Sequence, residues 1–137
     1  MNKLRLRIAR LALAIAGAAL CWACNAPFIP IPPPQQTVSF SSALVSDGGG
    51  GQKTVWTAHG LAYPEAARAR FYIFDENQAA GVIAEAADDG SYTSPPMEGT
   101  MGDRVEISYE TPGGAVSTST CFQLTEDVPS APRCLAP

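Results

Sequence analysis

Short apolar runs separated by turn residues dominate the chain between residues 70 and 110. Arg70–Asp75 is followed by a turn and by a second run at Val82–Ala87, after which residues 88–91 (Asp-Asp-Gly-Ser) supply another turn, with Gly90 placed for positive φ. Arg104–Glu110 alternates apolar and polar residues, which is typical of a strand with one face in a core. This pattern predicts a small antiparallel β domain.

Further strands are predicted on both sides of that stretch. Thr37–Val45 and Lys53–His59 flank a glycine-rich loop, and Ala115–Leu124 returns the chain after a turn. Arg70–Asp75 is apolar on both faces, which is typical of a central strand buried on two sides. A short helical turn is expected within Leu61–Arg68. The predicted fold is all-β, a single antiparallel β-sandwich of about seven strands. Its predicted inward residues are Val38, Phe40, Ser42 and Leu44 in the first strand and Val116, Phe122 and Leu124 in the last.

The N-terminal 23 residues have the three-part layout of a secretory signal peptide. Residues 1–10 are basic without an acid, residues 11–20 are an apolar run, and small residues and cysteines follow. An uncleaved membrane helix is the alternative, but residues 11–24 are too few for a span, which needs about twenty apolar residues. We therefore expect export from the cytoplasm.

The end of that segment resembles a bacterial lipoprotein signal, in which a small residue precedes a cysteine that takes a lipid through its sulfur. Ala23 and Cys24 supply the two residues, although Cys21 and Trp22 depart from the preferred pattern. The resemblance implies lipidation at Cys24 and a membrane anchor; an ordinary cleaved signal, releasing a soluble protein, is the alternative. Asn25 is not the aspartate of inner-membrane retention, so the resemblance implies the cell envelope and its outer membrane, on the periplasmic or surface face.

Residues 24–36 are predicted as the lipidated N-terminus and a proline-rich, extended tether, residues 37–126 as the sandwich, and residues 127–137 as a C-terminal tail. From Cys24 onward, five basic residues stand against thirteen acidic ones, a formal charge of −8. Such a surface repels phosphate backbones, so nucleic acid is not an expected partner. The expected partners are the membrane, through the lipid, and an envelope protein or glycan.

Two turn motifs carry a further resemblance. Residues 89–92 (Asp-Gly-Ser-Tyr) and 102–105 (Gly-Asp-Arg-Val) are similar to turns of the transthyretin-like or carboxypeptidase-regulatory-like sandwich domains of bacterial surface proteins. The resemblance covers about half the chain and implies an accessory or binding module, with no catalytic residue to carry over. The glycine-rich loop 46–52 departs from it, and an immunoglobulin-like topology stays open.

Cys121 and Cys134 form an even pair once Cys21 leaves with the signal and Cys24 carries lipid. In an oxidising compartment such a pair predicts a disulfide that fastens the tail to the last strand, with two free thiols as the alternative. The closed loop would stabilise the fold by about 3 kcal/mol in the chain-entropy model. Two cysteines and a distant His59 supply too few ligands for zinc.

No residue pattern predicts catalysis or a cofactor. His59 is the single histidine, and no serine lies in a nucleophile-elbow context. Asp75, Glu76, Asp88 and Asp89 could cluster at one end of the sandwich and hold calcium, although aspartates before glycine are also ordinary turn residues. Exposed aromatics at Trp56, Tyr63 or Tyr72 could stack on a sugar or peptide, but aromatics more often pack in cores.

Two hypotheses therefore follow from the sequence. The first is a non-catalytic, membrane-anchored envelope lipoprotein that acts as a structural or interaction module. The second is a ligand-binding module for a glycan, a peptide or calcium that uses the loops at one end of the sandwich. An exposed aromatic row or a convergent carboxylate cluster would favour the second hypothesis, and a histidine bonded to both a serine and an acid in a cleft would favour an enzyme.

Overall fold

The computed structural model describes residues 31–126 of the chain. This part contains eight strands, a 3₁₀ turn at Pro64–Ala66 and no α-helix. The signal peptide, Cys24, Cys134 and the tail 127–137 lie outside the described residues, so the predictions about them stay predictions. Among residues 31–126 no helix is long and apolar enough to cross a membrane. The strands are β1 (Val38–Ser46), β2 (Gln52–Gly60), β3 (Arg70–Asp75), β4 (Ala80–Glu85), β5 (Tyr92–Thr93), β6 (Met97–Glu98), β7 (Arg104–Glu110) and β8 (Thr120–Gln123).

The strands form two four-stranded antiparallel sheets. In the first sheet β2 pairs with β1 along its whole length and with the short strands β5 and β6 on its other side. The second sheet has the order β4-β3-β7-β8. The predicted all-β sandwich is confirmed, including the central position of β3.

The core lies between the two sheets and follows the period-two alternation of the strands. Val105, Ile107 and Tyr109 of β7 are buried, as predicted, while the residues between them face outward. Phe40 meets Phe122 edge to face across the core, with ring centroids 6.2 Å apart. The other buried apolar residues include Val38, Trp56, Ala58, Phe71, Ile73, Tyr92, Met97 and Leu124.

The prediction that β3 is buried on two sides is wrong. Phe71 and Ile73 enter the core, but Phe74 is 44% exposed, because no other layer covers the outer face of the second sheet within the described part of the chain. An antiparallel sheet can leave one face to solvent, and here that face carries apolar residues.

The predicted inward face of β1 is correct for its first half only. Val38 and Phe40 are buried, whereas Leu44 is 66% exposed. The β1–β2 hairpin is nine residues long on each side, but β5 and β6 are two residues each and β2 pairs with them only at His59–Gly60 and Val55–Trp56. The tip of the hairpin therefore projects beyond the core.

The predicted last strand forms in part. Only Thr120–Gln123 is a strand, and Val116 meets Glu110 in an isolated bridge and is 40% exposed, so its predicted inward position is wrong. The reason is local, because the Ser117 hydroxyl accepts the Tyr109 N–H at 2.9 Å in place of a ladder carbonyl. Phe122 and Leu124 are buried as predicted.

The proline-rich segment is attached to the sandwich from Ile31 onward. The carbonyl of Ile31 accepts the Thr118 N–H at 3.2 Å, and that of Pro34 accepts the Thr120 hydroxyl at 3.1 Å. Gln36 is buried, and its amide donates to the Leu61 carbonyl at 2.5 Å. Residues 31–36, predicted as tether, thus pack against the domain.

Candidate functional site

A cleft of about 510 Å³ lies at one end of the sandwich. The β1–β2 hairpin, the β3–β4 turn, β6 and the loop after β6 meet there. We call this end the cleft end. The lining residues are Ser42, Lys53, Thr54, Trp56, Gln78, Glu98, Gly99, Thr100 and Met101.

Trp56 lies at the floor of the cleft. The side chain is 1% exposed, and its indole N–H donates to the Gly99 carbonyl at 3.0 Å. A Cβ at Gly99 would lie 2.7 Å from the Leu124 side chain, so a larger residue there would require that side chain to move. At the rim Lys53 forms an ion pair with Glu98. The cleft therefore offers an ammonium, a carboxylate and the Gln78 amide over a rigid apolar floor.

A pair of carboxyl groups supports one wall of the cleft. Asp75 is fully buried, and its Oδ1 accepts the backbone N–H groups of Asn77 and Gln78 at 2.8 and 3.0 Å. Asp103 accepts the Thr100 N–H at 2.7 Å and the Gln78 amide at 3.1 Å. Burial, chiefly, and the neighbouring Asp103 raise the pKa of the Asp75 carboxyl. The pair thereby ties the β3–β4 turn to the loop before β7.

The four predicted calcium ligands do not come together. Asp75 ends β3 and Glu76 follows it, whereas Asp88 and Asp89 follow β4 at the opposite end of the same antiparallel hairpin, about 17 Å away. Glu76 pairs with Arg104 at 3.0 Å and Asp88 with Arg68 at 3.2 Å. Between residues 31 and 126 no cluster of three or more metal-ligating side chains occurs.

Asp89 acts as a turn residue. Its Oδ1 accepts the hydroxyl and the N–H of Ser91 at 2.7 and 2.9 Å, and these bonds lower the pKa of its carboxyl. Gly90 has φ +80, as predicted, and a Cβ there would lie 1.8 Å from the Tyr63 carbonyl oxygen. The motif 89–92 therefore sets loop geometry.

His59 lies on β2 between two hydroxyl groups. Its Nε2 is 3.0 Å from the Ser41 hydroxyl and its Nδ1 is 3.3 Å from that of Thr93. A Ser-His-acid relay needs a carboxylate on the second ring nitrogen, and a threonine occupies that place.

Cys121 is half-buried on β8, with Glu106 of β7 opposite it. Its predicted partner Cys134 lies outside the described range, so the disulfide stays a prediction.

The outer face of the second sheet carries a patch formed by Tyr72, Phe74 and Ile83. Tyr72 and Ile83 are cross-strand neighbours, and Phe74 follows two residues along β3 on the same face. Ile83 is 54% exposed. The Tyr72 hydroxyl donates to Glu110 at 2.5 Å, a bond that raises the pKa of its phenol. We call these three residues the apolar patch.

A second cleft, of about 480 Å³, lies at the opposite end of the molecule. Arg70, Glu85 and Glu110 form one cross-strand row beside it. The other lining residues are Arg68, Ala86, Thr111, Pro112 and Gly114.

No family model, no curated protein and no solved structure matches this chain. The geometry of its own residues therefore carries the functional argument. The Gln78–Asp103 contact and the Lys53–Glu98 pair were not predicted from the sequence, because these contacts join residues that are 25 or more positions apart. The Gly-Asp turn at 102–103 was visible only as turn chemistry.

Proposed function

We propose that this protein is a non-catalytic, lipid-anchored lipoprotein of the cell envelope that acts as an interaction module. The apolar patch carries this proposal. Tyr72, Phe74 and Ile83 lie together on an uncovered sheet face and are bordered by Glu110, Glu106 and their cationic neighbours. Contiguous exposed apolar surface with a polar rim is typical of protein–protein contact sites.

The anchor is supported by the signal-like N-terminus and by Ala23-Cys24. Two or more acyl chains hold a protein stably at a bilayer, where one chain is marginal. An intact mass of protein isolated from its host membrane tests this part. We expect a mature chain that begins at Cys24 and carries a diacylglyceryl group. An unlipidated chain in the soluble fraction would contradict the proposed lipid anchor.

The interaction is tested with a photo-crosslinking residue at position 83 in the host membrane. We expect a discrete adduct that disappears when Phe74→Ser removes the neighbouring ring. Leu44→Ser is the matched control, because Leu44 is also exposed and apolar but lies on the first sheet. An adduct that survives Phe74→Ser, or the absence of any adduct, contradicts the proposal.

A ligand-binding module is the second candidate, and the cleft over Trp56 favours it. A short peptide fits the chemistry there. Lys53 and Glu98 can form ion pairs with its carboxylate and amine, and the Gln78 amide can hydrogen-bond to its backbone. A glycan is the alternative ligand. Chemical-shift perturbation with peptide and oligosaccharide mixtures tests the site, with Gln78→Ala as the weakened variant. Chemical-shift changes that appear outside the cleft would contradict the proposal that the cleft binds the ligand. The transthyretin-like relationship belongs to the same proposal, with the two turn motifs as its support.

A further inference from the structure

We infer that the domain stands on the bilayer in one orientation, with the cleft end pointing away from the lipid. The end that faces the lipid, here called the root end, is formed by Ile31, Glu110, the connection 111–119 and the second cleft. This inference rests on the proposed lipid at Cys24. It adds which surface meets the membrane and which surfaces stay available to a partner.

The first step is the length of the connection. Ile31 is bonded to Thr118 and lies beside Ser117, so the chain is attached to the domain there and not at residue 37. Seven residue steps separate Cys24 from Ile31. Even when fully extended, they reach about 25 Å.

The second step is the length of the domain. Val116 lies opposite Glu110, so Ile31 is close to the last residue of β7. Arg104, at the other end of β7, is about 20 Å away along the strand, and past that level β1 continues along the cleft from Ser42 to Ser46 for about 13 Å more. The hairpin tip is therefore about 33 Å from the attachment point. An inverted domain with its tip on the bilayer would need a longer connection than the chain provides.

The third step is the charge of the root end. Arg68 and Arg70 are outnumbered by Glu85, Asp88 and Glu110. An acidic surface is repelled by anionic lipid headgroups. The short connection, and not attraction to lipid, therefore keeps the root end at the membrane.

The strands then run upward from the membrane, and the outer face of the second sheet faces sideways. The apolar patch on that face is presented to a neighbour in the same envelope layer, and the cleft is presented outward. The partner that fits the patch is thus a protein surface at the height of β3, within about 40 Å of the bilayer when the reach of the connection is added to the length of the strand.

The test compares two labelling sites in the lipidated protein on phosphatidylcholine vesicles that contain a headgroup-attached quencher. Gly113 lies in the root end and Gly49 in the hairpin tip, and both are exposed. Both are also outside the positive-φ region, so each accepts an unnatural residue that carries a fluorophore. We expect quenching at position 113 to exceed quenching at position 49 several-fold. Equal quenching, or stronger quenching at position 49, overturns the orientation.

A longer connection provides the control. Twelve Gly and Ser residues inserted between Pro30 and Ile31 should equalise the two signals, and quenching that stays polarised would show that direct lipid binding, not length, orients the domain. A protein without lipid overturns this inference together with the proposed function. Lipidated protein with equal quenching overturns the orientation alone.

Discussion

In the sequence Asp75 resembles a calcium ligand, but in the fold its carboxyl group accepts backbone N–H groups and holds the β3–β4 turn in place. Its side chain points into the protein beneath Gly99, and its pKa is raised because burial disfavours the charged form. Asp89, which looks equivalent in the sequence, is exposed and has a lowered pKa. The alternation of β3 places Asp75 on the inward face with Phe71 and Ile73, but the sequence does not show that Asp103 and Gly99, which are distant along the chain, lie against it.

The raised pKa of Asp75 predicts how stability depends on pH. A carboxyl whose folded pKa exceeds its unfolded value stabilises fully below the unfolded pKa, and that stability is lost as the pH rises through the folded pKa. Asp75→Asn stays neutral and still accepts the N–H groups of Asn77 and Gln78. We expect the variant to be more stable than the wild type at pH 8, by about 1–3 kcal/mol, the scale of an unsatisfied buried polar group.

Urea unfolding of both proteins from pH 4 to pH 8 measures this effect. Asp89→Asn is the control, because the lowered pKa of Asp89 stabilises the fold above the unfolded pKa and that stability is lost only below this range, so the difference between Asp89→Asn and the wild type should stay nearly constant from pH 4 to pH 8. Parallel pH profiles for the wild type and Asp75→Asn would refute the buried-acid interpretation.

Among the elements, β7 was predictable and β1 only in part. The alternation in β7 is strict, β3 pairs with it along almost its whole length while β8 pairs with its first four residues, and all its inward residues are buried. The pattern in β1 is equally regular, but burial depends on how far the opposite sheet extends, and that length is a tertiary property. The outer face of β3 shows the same limit, since an apolar residue in a sequence does not reveal whether another layer covers it.

This difference within β1 predicts unequal effects of two truncations on the same predicted face. Phe40→Ala removes a ring that packs on Phe122 in the core and should cost about 3–5 kcal/mol. Leu44→Ala lies on the projecting half of the hairpin and should change stability by less than about 0.5 kcal/mol.

Chemical denaturation at a fixed pH gives both values. Phe122→Ala, combined with Phe40→Ala, should show a non-additive loss because the two rings share a contact. A Leu44→Ala loss as large as that of Phe40→Ala would mean that the hairpin tip is covered by another part of the molecule.

At the scale of the whole molecule, the domain begins before its first strand. The prolines of residues 32–34 indicate an extended segment. An extended conformation does not distinguish a free tether from a segment that packs along the domain. The deciding contacts are those of Thr120 with Pro34 and of Gln36 with Leu61, which no local pattern could show. The predicted sandwich was correct in its sheets, while its N-terminal edge required tertiary structure.

Gln36 provides the last prediction. Its amide donates to the Leu61 carbonyl and, at 3.4 Å, to the Gly90 carbonyl. It therefore links residues 31–36 to the loop after β2 and to the loop between β4 and β5. Gln36→Ala leaves the Leu61 and Gly90 carbonyls without this donor and should lower the free energy of unfolding by about 1–3 kcal/mol. Denaturation of an unlipidated chain that starts at residue 25 measures the loss. Gln35→Ala is the matched control, because the neighbouring side chain is exposed and its removal should be neutral. Equal stability of the two variants would mean that the bonds of the Gln36 amide do not hold this segment, and that its attachment rests on the bonds of Ile31 and Pro34.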